Sequence, residues 1–190
     1  MGNLDENVID LLTAQHEQIR HLLDKLKTGE ADKRELFTDL VRLLAVHETA
    51  EEEVVHPVAR RAAFGADDIV RPRLDEENHV KRGLAELYDL GVDHPDFDKK
   101  LSDFADAFAA HAAQEESEEF PFLRKQFSVN QLERWAGMVR AAERLAPTRP
   151  HPHAGETGLA NLVMSPPLAV FDRVRDVLRD LRHRQGDSSR

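Results

Sequence analysis

HETAEEEVVHP, residues 47–57, and HAAQEESEEFP, residues 111–121, are two versions of one pattern. Each opens on His, carries Glu four and five residues later, and reaches Pro ten residues later. On a helix of 3.6 residues per turn an i, i+4 pair shares one face, so His47 points with Glu51 and His111 with Glu115. Both pairs continue apolar stripes. Leu36, Leu40, Leu43, His47, Glu51, Val54 and Val58 make one, and Leu101, Phe104, Phe108, His111, Glu115 and Phe122 make the other. A residue in such a stripe faces a core, where an imidazole or carboxylate is costly unless it is paired or bound to metal.

The pattern extends upstream, because His16 precedes His47 by 31 residues and His79 precedes His111 by 32. His16 stands in its own stripe with Leu12, Ile19, Leu23 and Leu26. Apolar residues recur with period 3.6 almost throughout and β-branched alternation is nearly absent, so the fold class is all-α. Helices are expected at about 7–27, 32–63 with a kink at Pro57, 67–90 through Val80, Leu84 and Leu87, and 96–127. Gly29, Gly65 and the turn from Gly91 to Pro95 mark the stops. Short connections argue an up-down antiparallel four-helix bundle with additional C-terminal helices. Ser128 and Gln131 form a capping box that opens the next helix, through Trp135, Met138 and Leu145. The expected organisation is a metal-binding helical domain over 1–146, a Pro/Gly-rich linker over 147–167, and an amphipathic helix with a polar tail over 168–190. Val170, Phe171, Val174, Val177, Leu178 and Leu181 give that last helix an apolar face for its own domain or for a protein partner.

Composition narrows the chemistry. The chain has 190 residues, no Cys, ten His, and 26 Lys and Arg against 36 Asp and Glu, a net charge of -10. Without thiols there are no disulfides, thiolate zinc sites, iron–sulfur clusters or thiol nucleophiles, so any metal falls to His and carboxylates. The negative charge repels phosphate backbones and argues against a nucleic-acid partner. No basic and apolar leader opens the sequence and no apolar run approaches the ~20 residues that span a bilayer, so a soluble cytoplasmic protein without membrane contact is expected.

A single HxxxE is weak, and a lone histidine in an apolar seam is commonly a satisfied core residue. The duplicated H, HxxxE, H, HxxxE series is different, since it gathers four His and two Glu in the core of a bundle, where such folds build metal sites. Six N/O ligands exceed the four of structural zinc, and two carboxylates suit bridging between two ions. The reading is a centre of two iron ions, with manganese the lesser alternative: His16 and His47 bind one, His79 and His111 the other, and Glu51 and Glu115 bridge. His21, about 140° from His16, and His56, about 180° from His47, should face away. His94 belongs to a turn, and His151 and His153 to the linker. Glu52, Glu116, Glu118 and Glu119 read as a solvated face. Glu76, one turn before His79, is expected to hold that ring's free nitrogen.

Over residues 7 to about 127 this series resembles the hemerythrin-like, or HHE cation-binding, family of non-haem di-iron four-helix bundles. The HPH and GLANLVMSPP segments resemble tails of actinobacterial members. The resemblance implies a centre that binds dioxygen, nitric oxide or peroxide, with roles in oxygen storage, sensing, iron homeostasis or peroxide breakdown. Two departures from the oxygen carriers stand out. Their third helix supplies HxxxH where His79 is here followed by Gly83, and their last carboxylate is Asp where Glu115 stands. Glu48, directly after His47, is the candidate to fill the vacated position, as in members with an HExxE motif. The reading is therefore a di-iron protein that binds or turns over a small oxidant, with peroxide dismutation favoured over reversible oxygenation. The alternative is a non-catalytic oxygen, iron or redox sensor, or an iron buffer, acting through a protein partner on the C-terminal helix.

Overall fold

The computed structural model describes residues 7–29, 32–57 and 66–145, and these are helical apart from short connections, with no strand among them. The elements are α1 (Val8–Thr28), α2 (Lys33–Ala50) continuing into a π-helical turn π1 (Glu51–Val55), and α3 (Ala66–Leu90). Then come α4 (Phe97–Gln114), running into a second π turn, π2 (Glu115–Glu119), α5 (Phe120–Gln126) and α6 (Val129–Leu145). The expected linker and C-terminal helix, Val58, Gly65, His151 and His153 lie outside the described residues.

Local chemistry sets the boundaries. The Asn7 side chain accepts hydrogen bonds from the N–H groups of Ile9 and Asp10 at 3.0 and 3.2 Å, and Asp32 does the same for Arg34 and Glu35 at 2.9 and 3.1 Å. Gly29 ends α1 in the left-handed region (φ 69°), its N–H donating to the Lys25 carbonyl. At Ser128 the expected capping box is half built. Gln131 Oε1 accepts from the Ser128 N–H at 3.0 Å, but the hydroxyl also donates to that oxygen, at 2.9 Å, instead of accepting from the helix.

The helices form a bundle. α1 packs against α2, α4 and α6, and α3 packs against α4. The apolar interior falls into two clusters. One runs through Ile19, Leu40, Leu44, Leu84, Leu101 and Phe108, and the other joins Leu12, Ala50, Phe120, Leu123, Leu132 and Val139 under α6. On each of three helical stretches the histidine stands at the junction: His16 between Leu12 and Ile19, His47 between Leu44 and Ala50, His111 between Phe108 and Phe120. A polar layer is thus enclosed between two apolar ones.

Both copies of the repeat widen at the glutamate. The His56 N–H bonds back five residues to the Glu51 carbonyl, and the Phe120 N–H to the Glu115 carbonyl. The cause is the proline ten residues after each histidine. Pro57 and Pro121 lack an N–H, and their rings oppose the carbonyls four residues back, on Glu53 and Ser117, inside the two wide turns. The departure from regular helix expected at Pro57 takes the form of a π turn over Glu51–Val55, followed by helix at His56 and Pro57.

Candidate metal centre

Three imidazoles meet in the polar layer, each with its Nδ1 held by a hydrogen-bond partner and its Nε2 turned toward buried carboxylate. His16 Nδ1 lies 2.8 Å from Glu116 Oε1, which also accepts from Arg20 at 2.9 Å, and its Nε2 is 3.2 Å from Glu115. His47 Nδ1 lies 3.0 Å from Gln15 Oε1, with Nε2 3.4 Å from Glu51. His111 Nδ1 faces Glu76 at 3.4 Å, with Nε2 3.4 Å from Glu115. Carboxylate and amide oxygens only accept, so the proton of His16 and of His47 sits on Nδ1 and the Nε2 lone pair points inward. This is the orientation that an outer partner imposes on a metal-binding histidine.

Burial sets the charge. His16, His47, Glu48 and Glu115 have no exposed surface, and Glu51 and His111 have almost none. Loss of hydration pushes the His16 pKa down to about 4, against the partly restoring hydrogen bond and charge of Glu116. Burial, followed by the neighbouring rings of His16, His111 and His56, holds His47 well below its ordinary value. Both rings are therefore neutral at pH 7, the form that ligates metal. Aromatic rings close the layer: His16 stacks on Phe120 at 5.6 Å, and Phe108 stands edge-on to His16 and His47.

Ligand atoms of His16, His47, Glu51 and Glu115 lie within 4.8 Å of one another, and the same holds for Glu48, Glu51 and His111. Glu51 belongs to both groups. Neither His16 Nε2 nor His47 Nε2 makes a hydrogen bond. The donor set of three imidazoles and three carboxylates, with the Nε2 lone pairs of His16 and His47 turned inward, fits first-row cations.

The sequence placed His16, His47, Glu51, His111 and Glu115, with Glu48 beside them, and the structure brings these six together. It does not bring His79 to them. His79 is exposed, and with Glu76, Val80, Ala107, Ala110 and Gln114 it lines a surface cleft of about 490 Å³ that reaches His111. The α3 stripe explains this, because Val80, Leu84 and Leu87 are the buried positions and His79 is about 100° away from Val80. Glu76, four residues before Val80, shares the inner face, and it approaches His111 where His79 was expected to be its partner. Gly83, where a second α3 imidazole would stand, lines a surface cleft with His79, and a Cβ there would lie 3.1 Å from Phe104 Cδ2.

Four residues of this layer were not expected there. Gln15 and Glu116 hold histidine Nδ1 atoms, and His56 and Glu119, expected to face away or lie on a solvated surface, are buried together with Nε2 and Oε1 3.4 Å apart. The wide turns account for the last two. Inserting one residue into a helix withdraws about 100° of rotation, which carries His56 from about 180° to about 80° from His47 and Glu119 from about 80° to within about 20° of His111. The duplicated proline was the available signal.

A helical bundle enclosing a layer of neutral histidines and buried glutamates is, as a class, a cation-binding protein. The chain belongs to the hemerythrin HHE cation-binding domain family, whose profile matches residues 7–123. It is also similar to a DNA nickase from Nostoc sp. (strain PCC 7120 / SAG 25.82 / UTEX 2576), at 29% identity over 141 residues, 73% of this chain and 40% of the relative. The chain thus spans well under half the length of that relative. No solved structure matches it at a significant level.

Proposed function

We propose that the chain is a di-iron protein of the cytoplasm that turns over hydrogen peroxide, on an up-down four-helix scaffold of α1 to α4 contained in residues 1–146. His16, His47, His111, Glu48, Glu51 and Glu115 would hold the two ions, with Glu51 and Glu115 as the carboxylates they would share. Manganese is the lesser alternative. The observation that carries this reading is the buried set of three imidazoles and three carboxylates. Iron in this set supplies redox cycling between ferrous and ferric states.

The protein's own residues do the rest. Three carboxylates make the site more anionic than an imidazole-rich one and favour ferric iron, which suits peroxide better than reversible oxygenation. The cleft beside Glu76 and His79 gives a small oxidant a route to His111. Phe108 and Phe120 exclude water from the His16 side. Glu116, part-exposed and bonded to Arg20, links the His16 Nδ1 proton to solvent. The test is iron content per chain together with stopped-flow mixing with peroxide. About two irons, oxygen release, and an altered rate in Glu48→Ala are expected. A vacuum-reversible oxygen adduct of the ferrous protein without peroxide turnover would replace this reading with oxygen binding or sensing.

The Nostoc relative, a DNA nickase, supplies a second reading, cleavage of a DNA strand. The net charge of -10 weighs against it. Nicking of supercoiled plasmid by the metal-loaded protein, lost in His47→Ala, would establish it.

A further inference from the structure

We propose that His56 and Glu119, with Glu115 shared from the centre, form an additional binding site for a divalent first-row cation. His56 and Glu119 are 2% and 1% exposed, and His56 Nε2 stands 3.4 Å from Glu119 Oε1. One ligand atom of Glu115 lies within 4.8 Å of theirs. Neither carboxylate oxygen of Glu119 makes a hydrogen bond, a costly state for an ionised group in an apolar interior.

A divalent cation would meet the buried charge of Glu119 directly and take a neutral His56 as its nitrogen ligand, with Glu115 completing the set. The donor set of one imidazole and two carboxylates selects Mn(II), Fe(II) or Zn(II) over soft metals. Position supports the same assignment. His56 closes π1 and Glu119 closes π2, so the two wide turns rotate both side chains inward from opposite helices. The shared Glu115 makes this a loading position, where a cation already holds one ligand of the centre. It shares that carboxylate with the centre but does not depend on the oxidant chemistry proposed there.

The test uses the full chain, stripped with chelator under anaerobic conditions, dialysed against Mn(II) and analysed for bound manganese by elemental analysis and electron paramagnetic resonance. Glu119→Gln and His56→Gln should each bind one ion per chain fewer than the wild type and than Glu118→Gln, an exposed neighbour. Equal binding by all four proteins, with or without loss of thermal stability, would overturn the site and leave a simple ion pair. His47→Ala reports on the centre separately: if it alone binds as the wild type does, the centre is misassigned while the Glu119 comparison still stands. Should Glu119→Gln lose its helical circular dichroism, Glu119→Asp keeps the charge and shortens the reach. At least tenfold weaker binding of one ion is then expected, and unchanged affinity would overturn the site.

Discussion

Acidification of the metal-free protein isolates the contribution of His16. The ring is fully buried, and loss of hydration lowers its pKa from 6.5 to about 4. Between those values the unfolded chain binds a proton that the folded chain refuses, so stability must fall as the pH falls through that window and be flat above it. Each pH unit is worth ~1.4 kcal/mol per proton, and the gap of about 2.5 units therefore amounts to roughly 3 kcal/mol. His47, lowered by the same cause, adds to the loss in the same direction. The comparison is His16→Gln, which cannot titrate but can still reach Glu116. Urea unfolding followed by far-ultraviolet circular dichroism, with chelator present, gives the stability at each pH from about 7.5 to about 4.5. The wild type should lose roughly 3 kcal/mol more than His16→Gln across that range. Parallel curves across that range would refute the claim that His16 is folded as a neutral ring.

Three further outcomes follow from the geometry. His47→Ala should lose bound metal and melt lower than wild type, whereas His21→Ala, at an exposed position, should match wild type in both metal content and melting temperature. Gly83→His, which restores the HxxxH spacing, should gain no ligand, because position 83 lies with His79 on the wall of a surface cleft outside the buried layer; elemental analysis should find the same metal content as in the wild type. A chain ending at residue 146 retains α6 over the second apolar cluster and should stay monodisperse with its iron spectrum intact, while aggregation on size exclusion would show that the removed segment covers core surface.

The helices were legible because period 3.6 survives wherever the backbone is α. The stripe through Leu12, His16, Ile19 and Leu23 put α1 within a residue or so of its observed ends. The HxxxE pairs were legible for the same reason, since His47 with Glu51 and His111 with Glu115 lie before any departure from α geometry. Beyond each glutamate the count fails by one residue, and that is where His56 and Glu119 were misplaced. His79 was a different failure. Its spacing from His111 copied that of His16 from His47, but the apolar residues of α3 are in phase with Val80 and Glu76. A stripe that decides burial outranks a spacing that suggests ancestry. Gln15 and Glu116 sit next to, respectively, a histidine and a glutamate of the pattern, and nothing in periodicity distinguishes a neighbour that reaches inward from one that does not.

His16 meets Glu115 and Glu116 across some hundred residues of chain. A cation held between His16 and Glu115 would tie the ends of that loop together in the folded chain, and because its ligands come together only there, its binding free energy adds directly to folding stability. In a sequence with no cysteine, this is a cross-link whose making and breaking answers to metal supply instead of thiol oxidation. Amide hydrogen exchange would register it as slow exchange in α1 and at the end of α4 that collapses, in both helices at once, when the ion is withdrawn.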